Sequence, residues 1–161
     1  MRRATFPVMF ALAVLLSTGV SAMAQSADPW LGTWKLNLAK STYSPASLAP
    51  KSQTTKQTAS QDSVTATTDG VDAQGKPLHT DITYKFDGKE YEYKGAPDPK
   101  TTRIYTRISD NTYQWVSKVD GRITTTSRVS VAADGKTRTI VTTGRDAQGR
   151  AINNVTSWDK Q

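Results

Sequence analysis

The stretch Trp30-Leu31-Gly32-Thr33-Trp34-Lys35-Leu36-Asn37-Leu38 is the strongest local signal in the sequence. It contains a G-x-W pattern, Gly32 to Trp34, that opens a run of ordinary strand length. Runs of this length are typical of β-strands. We therefore predict that the domain begins with a strand from Gly32 to Leu38.

Threonine is the most frequent residue after position 24, where it occupies 22 of 137 positions. It lies with Val, Ile, Tyr and Trp in short alternating runs, and such residues favour strands because their stiff side chains pack well on a pleated surface. We predict about ten strands and no helix from Gly32 onward. Beyond the first, the predicted strands are Ser52 to Ala59, Val64 to Thr68, Leu78 to Phe86, Glu90 to Lys94, Thr102 to Ser109, Thr112 to Val119, Arg122 to Val131, Thr137 to Thr143 and Ala151 to Trp158.

Turn signals separate the predicted strands. Asp-Gly pairs supply the positive φ angles that tight hairpins require. Consecutive hairpins form an up-and-down sheet, and closure into a barrel removes the exposed edges of so many strands. We predict an all-β protein, an antiparallel up-and-down β-barrel of eight to ten strands. The turns are expected at Asp69-Gly70, Asp87-Gly88, Asp110-Asn111, Asp120-Gly121 and Asp134-Gly135.

The first 24 residues have the features of a secretory signal peptide. Arg2 and Arg3 form a basic region, Phe6 to Val20 an apolar region, and Ser21 to Ala24 a small-residue cleavage site. We expect cleavage after Ala24, one barrel domain over residues 25–161 and a periplasmic or secreted location. Loss of the two arginines leaves 19 basic against 14 acidic residues, a net charge of +5. No later apolar run approaches the ~20 residues needed to span a bilayer, so no transmembrane segment is expected in the mature chain.

The composition excludes several activities. The sequence has no cysteine and one histidine, His79, which excludes thiol nucleophiles, thiolate metal sites and any site that needs two imidazoles. We predict a protein that is not an enzyme, with no cofactor and no metal site. The basic residues are spread evenly rather than clustered among aromatic residues, so nucleic acid is not an expected partner. We expect a monomer.

An internal repeat links two parts of the chain. Thr68 to Lys76 matches Thr142 to Arg150 at a constant offset of 74. The favoured hypothesis is that one turn occurs twice, with Asp closing the loop and Gly at positive φ. The alternative is a calcium site formed by the two Asp carboxylates. One carboxylate per turn disfavours it, because calcium takes about six or more oxygen ligands.

The G-x-W stretch resembles the first strand of the calycin group, which comprises lipocalins, fatty-acid-binding proteins and avidins. Gly32 to Leu36 in particular resembles fatty-acid-binding proteins. The longer stretch through Tyr43-Ser44-Pro45 is similar to small exported bacterial proteins described only as lipocalin-like. The resemblance implies a lipocalin-like barrel whose floor is formed by Gly32 and Trp34. It also implies an interior cavity for a small apolar or amphipathic ligand.

The sequence also departs from these relatives. Fatty-acid-binding proteins place two helices after the first strand, whereas Ala39 to Lys51 is rich in Pro and Ser. Their carboxylate-binding Arg-x-Tyr lies on the last strand, which here reads Asn154 to Trp158 and lacks it. Ala39 to Lys51 is either a lid over one end of the barrel or, as we favour, a plain crossover.

Candidate ligand-binding residues come from the aromatic strands. The run Arg103, Tyr105, Arg107 alternates with Ile104, Thr106, Ile108. An inward arginine face would bind a carboxylate bidentately, whereas inward isoleucines would leave the arginines solvated. We favour inward isoleucines, because an unpaired buried arginine is costly. Arg122, Arg128 and Arg138 share this ambiguity on neighbouring strands. The expected ligand contacts are the wall residues Tyr84, Phe86, Tyr91, Trp115 and Ile123, with Tyr105 and Arg107 as a polar anchor.

Two functions from different classes follow from this fold. The first is an exported barrel that binds a small apolar or amphipathic ligand in its interior. The second is a structural or interaction protein of the cell envelope whose barrel core is filled. A continuous cavity of roughly several hundred Å³ would favour the first function, and a filled core would favour the second.

Overall fold

The structure, a computed structural model, describes residues 28–161, and the predicted signal peptide and its cleavage site lie outside the described residues. Ten strands follow one another, and between β1 and β2 the chain forms one 3-10 turn at Ala46–Leu48. The strands are β1 (Gly32–Thr42), β2 (Ser52–Ser60), β3 (Ser63–Val71), β4 (Pro77–Tyr84), β5 (Glu90–Glu92), β6 (Thr101–Ser109), β7 (Thr112–Val119), β8 (Arg122–Val131), β9 (Thr137–Arg145) and β10 (Ala151–Lys160).

The strands form one antiparallel sheet in the order β4-β3-β2-β1-β10-β9-β8-β7-β6-β5. Apart from the edge strands β4 and β5, each strand pairs with its neighbours in sequence, and β1 pairs with β10. β4 meets the chain just after β5 at one bridge, which we call the seam. There the Asp81 N–H donates to the Lys94 carbonyl at 3.1 Å, and the Lys94 N–H donates to the Asp81 carbonyl at 3.0 Å. The result is a nearly closed barrel, and the predicted fold class is confirmed.

Several predicted strand boundaries differ from the structure, and the largest differences are at the ends of β1 and β3. β1 continues past Leu38 to Thr42, and Asp69-Gly70 lies inside β3 rather than in a turn. Gly70 stands beside the neighbouring strand, where a Cβ would lie 2.1 Å from the Ser52 carbonyl oxygen. The turn prediction at this pair was wrong, because glycine here allows two backbones to approach closely.

The turn itself comes two residues later and explains the internal repeat. The Asp72 N–H donates to the Lys76 carbonyl at 2.9 Å, and the Lys76 N–H donates to Asp72 Oδ1 at 2.8 Å. Asp146 and Arg150 form the same two bonds at 3.0 and 2.8 Å. The hypothesis of one turn used twice is confirmed, and each carboxylate is hydrogen-bonded within its own turn.

The two ends of the barrel differ. Trp30 and Trp34 are fully buried where β1 begins, and we call this the closed end. The repeated turns, which join β3 to β4 and β9 to β10, lie at the opposite end with the β1–β2 connection, and we call this the mouth. No helix within residues 28–161 is long and apolar enough to cross a membrane.

Candidate functional site

A cavity of ≈ 320 Å³ lies inside the barrel. This volume is at the lower end of the range for small-molecule sites. Its lining combines aromatic rings with hydroxyl and amide groups. The aromatic members are Tyr43, Tyr84, Tyr93, Tyr105, Tyr113, Trp115 and Trp158. The polar uncharged members are Gln53, Thr55, Gln57, Thr68, Ser117, Thr125, Ser127, Thr142, Asn154 and Thr156.

Strand periodicity places these side chains. Residues two apart on a strand share a face, so Tyr113, Trp115 and Ser117 on β7 all point inward. The same alternation on β6 places Arg103 and Tyr105 inside. The cavity is therefore built by every second residue of most strands rather than by a local motif.

Tyrosine rings fill the part of the interior next to the cavity. Tyr84 and Tyr105 stack with ring centroids 3.5 Å apart and planes 11° from parallel. Gln57 Nε2 donates to the hydroxyls of Tyr84 at 3.1 Å and Tyr113 at 3.2 Å. Burial raises the pKa of Tyr84 and of Tyr105. Both phenols therefore stay neutral and able to donate hydrogen bonds at any physiological pH.

Arg138 is a cation enclosed in this interior. It is 3% exposed, its guanidinium carbon lies 4.9 Å from the Trp34 ring centre and 4.8 Å from that of Trp158, and Nη1 donates to Gln57 Oε1. Burial lowers the pKa of Arg138 to about 10. Nε is buried and has no hydrogen-bond partner within residues 28–161. Arg138 therefore remains charged at neutral pH, and it forms no ion pair among residues 28–161.

Arg103 is the second interior cation. Its guanidinium carbon lies 3.6 Å from the Tyr93 ring centre and 4.9 Å from that of Trp115, and its Nε is buried without a partner in the described part of the chain. Ile108 is 43% exposed instead. The favoured inward orientation of Ile104 and Ile108 was therefore wrong. Aromatic faces stabilise a guanidinium that no carboxylate neutralises, so an inward arginine costs less free energy here than it would in an aliphatic wall.

Arg107 lies at the closed end and not in the cavity lining. It forms two hydrogen bonds of 2.8 Å with the Asp28 carboxylate, and its guanidinium carbon lies 4.6 Å from the Trp30 ring centre. Trp30 contacts Phe86 edge-on at a centroid distance of 5.6 Å. Arg107 and Phe86 thus pack around Trp30, which explains why neither lines the cavity.

Trp34 and Gly32 occupy the floor of the barrel. The fully buried Trp34 donates from Nε1 to the Trp30 carbonyl at 2.8 Å. Gly32 has a φ of +114°, and a Cβ there would lie 2.9 Å from Lys160 Cε. Trp30, which sequence reasoning did not assign to the floor, supplies the second layer of this closure.

The structure brings together only some of the predicted wall residues. Tyr84, Tyr105 and Trp115 line the cavity. Tyr91 is half-buried and donates from its hydroxyl to Asp87 Oδ1 at 2.9 Å, outside the lining. Ile123 is 68% exposed beside the β7–β8 turn.

The sequence did not single out Gln57, and it left the direction of Arg138 open, although both side chains line the cavity. Both lie on the same strand faces as inward hydroxyl or apolar residues, Thr55 on β2 and Ile140 on β9. Residues two positions apart on a strand share a face. Counting from a neighbour known to point inward is therefore the signal that would have placed both side chains inside the barrel.

The β1–β2 connection contributes one side chain to the site. Tyr43 lines the cavity, and burial raises its pKa to about 12. The connection is fastened to β10, because the Asn153 N–H donates to the Ser44 carbonyl and the Ser44 N–H donates to Asn154 Oδ1, both at 3.0 Å. The β1–β2 connection is therefore a crossover held against β10, as we favoured, and it places one side chain at the mouth.

The single histidine lies on the outer face of the barrel, beside the seam between β4 and β5. His79 Nδ1 is 2.6 Å from Asp69 Oδ1, and Nε2 is 2.6 Å from Asp81 Oδ2. The hydrogen bonds to Asp69 and then to Asp81 raise the pKa of His79. Among residues 28–161 no group of three or more His, Cys, Asp or Glu residues is arranged to hold a metal ion.

Solved structures resemble the chain in fold. The fatty acid binding protein of Schistosoma mansoni in complex with arachidonic acid aligns with a TM-score of 0.58 at 16% sequence identity, covering 83% of this chain and 96% of that chain. This likeness shows that the chain has the barrel fold of that protein. No family model matches the chain, and no curated protein matches it in sequence.

Proposed function

We propose that this protein is an exported lipocalin-like binding protein that holds a small amphipathic ligand in the interior of its barrel. The observation that carries the proposal is the cavity of ≈ 320 Å³, whose lining combines aromatic rings with polar groups. Such mixed linings bury the apolar part of a ligand and orient it through a few polar contacts.

The proposed contacts are the side chains that the strands turn toward this cavity. Tyr84 and Tyr105 present a stacked pair of rings, and Trp115 adds a third aromatic surface. Arg103 takes the anchor role that was expected of Arg107, because Arg107 is engaged by Asp28 at the closed end. Neither a catalytic group nor a cofactor is part of the proposal.

Export is proposed from the sequence. The basic, apolar and small-residue regions of residues 1–24 match a secretory signal peptide. A binding protein in the periplasm or outside the cell would meet small metabolites and envelope components directly.

Native mass spectrometry of the protein purified from its own host tests the proposal. We expect a complex heavier than the bare chain, which loses one small molecule on denaturation. A chain that carries nothing in native spectra, at several growth conditions, would instead support the filled-core envelope protein. The control is a variant in which a larger side chain fills the cavity. Ala66→Leu serves this purpose, since Ala66 lines the cavity.

A further inference from the structure

The interior of the barrel has two positive charges and no negative charge facing them. Arg103 and Arg138 line the cavity, and no Asp or Glu does so among residues 28–161. Neither guanidinium forms an ion pair within that part of the chain. Arg138 is buried and Arg103 is half-buried. A buried charge without a partner is costly, and a cavity lined by one sign of charge attracts the opposite sign. An anionic occupant would neutralise this excess.

The two arginines are engaged to different degrees. Arg138 donates from Nη1 to Gln57 and lies against the rings of Trp34 and Trp158 near the floor. Arg103 stacks on Tyr93, and its Nε has no acceptor in the described chain. The planar guanidinium of Arg103 is therefore held in place by an aromatic face and faces no carboxylate. A carboxylate matches the guanidinium fork with two parallel hydrogen bonds.

Arg103 also lies toward the mouth. It is the third residue of β6, which starts at the mouth, and it pairs with Ser117 near the mouth end of β7. An acid that enters through the mouth would therefore meet Arg103 before the tyrosine cluster.

The rest of the lining does not suit a long alkyl chain. Hydroxyl and amide groups of β2, β3, β8, β9 and β10 face the cavity, including Thr55, Thr68, Ser127 and Thr142. Some already bond one another, as Thr55 with Thr68 at 2.9 Å and Ser127 with Thr142 at 2.8 Å. Burial of a methylene chain against polar groups gains less free energy than burial against an apolar wall.

We propose that the ligand is a compact, polar carboxylic acid whose carboxylate is bound by Arg103. The aromatic rings pack against its body, and the hydroxyl-bearing wall accepts its other polar groups. This inference rests on the proposed function and specifies the ligand class of the same cavity. It assigns a ligand unlike a long-chain fatty acid.

The test compares the small molecules carried by three proteins produced in the native host: wild type, Arg103→Met and Arg128→Met. Arg128 lies on the exposed face of β8 and serves as the matched control. Each protein is purified without denaturant and then unfolded, and the released compounds are identified by mass spectrometry. We expect wild type and Arg128→Met to release the same polar carboxylic acid, and Arg103→Met to release little of it.

Titration of the extracted acid into refolded protein by calorimetry gives the affinity. Loss of a bidentate charge-assisted contact is expected to weaken binding about ten- to a hundredfold. Arg103→Lys keeps the charge without the fork and is expected to bind with intermediate affinity, which protects the test if Arg103→Met folds poorly. Circular dichroism checks the fold of each variant.

The outcomes separate the two proposals. If wild type releases no compound, the proposed function itself fails. If wild type releases a neutral compound or a long-chain fatty acid, the binding function stands and the ligand class is overturned. If Arg103→Met and Arg103→Lys both bind the extracted acid as tightly as wild type, Arg103 is not its anchor.

Discussion

Trp34 lies at the floor of the barrel, beneath the second layer that Trp30 supplies. Its side chain is fully buried, and Nε1 donates to the Trp30 carbonyl at 2.8 Å. Trp34→Ala would leave a large cavity and remove this hydrogen bond. We expect the free energy of unfolding to fall by about 3–5 kcal/mol, measured by urea denaturation.

Ile123→Ala is the control for this prediction. Ile123 is also a large apolar residue, but it is 68% exposed on the outside of the barrel. We expect a change within about 0.5 kcal/mol. Similar losses for the two variants would contradict the role of Trp34 in closing the barrel.

For single residues, the sequence predicted which side chains share a strand face better than it predicted which face points into the barrel. Alternation on β6 showed that Arg103 and Ile104 face opposite sides, but a period of two has no preferred sign. The direction depends on the aromatic faces of Tyr93, just after β5, and of Trp115, on β7. Both of these strands pair with β6. Such contacts between strands are not visible from one strand.

The internal repeat gives a prediction at the scale of strands. A Cβ at Gly70 would lie 2.1 Å from the Ser52 carbonyl oxygen, and one at Gly144 would lie 2.2 Å from that of Thr124. Alanine at either position must push two strands apart. We expect Gly70→Ala and Gly144→Ala each to lower the free energy of unfolding by about 1–3 kcal/mol in urea denaturation.

Gly88→Ala is the comparison for these glycines. Gly88 has a φ of +74°, and an added Cβ would meet no atom within 4 Å, so only the backbone conformation resists substitution. We expect a loss of about 1 kcal/mol. A larger loss at Gly88 than at Gly70 would show that close strand approach is not what requires glycine in β3.

The seam between β4 and β5 gives a pH prediction. The hydrogen bonds that His79 donates to Asp69 and Asp81 raise its pKa, so folding favours the protonated imidazole. The stabilisation is complete below the unfolded-state pKa of about 6.5 and is lost as the pH rises through the folded-state pKa. We expect the Tm to fall over this window as the pH increases.

NMR titration of the imidazole gives the pKa directly, because His79 is the only histidine in the sequence. In His79→Gln, the part of the fall in Tm that comes from titration of His79 should disappear. An imidazole pKa at or below about 6.5 would contradict the bridging geometry.

The elements themselves were largely predictable from the sequence. All ten strands were predicted, because β-branched runs and Asp-Gly turns are local signals. The errors arose where a residue served a distant neighbour. Gly70 looked like a turn residue and instead allows β2 to approach. Tyr43 lies in the β1–β2 connection, as the sequence suggested, but its side chain lines the cavity.

The whole molecule is a barrel that leaves part of its interior open. A protein that keeps a cavity for a ligand gives up the stability that a filled core would provide. Ala66 lines the cavity and packs against the core. We expect Ala66→Leu to raise the free energy of unfolding of ligand-free protein by about 0.5–2 kcal/mol and to reduce the amount of ligand carried.

Ala59→Leu is the matched control, since Ala59 is exposed on β2. It should leave both stability and ligand content unchanged. If Ala66→Leu carries as much ligand as wild type, the ligand does not occupy this cavity.

The central claim is that the barrel interior is a binding site. A crystal structure of the protein purified from its own host tests it most directly. We expect density for one organic molecule in contact with Tyr84, Tyr105 and Trp115, with an acidic group within hydrogen-bonding distance of Arg103. An interior that contains only water, or aromatic side chains closed over the cavity, would contradict the claim.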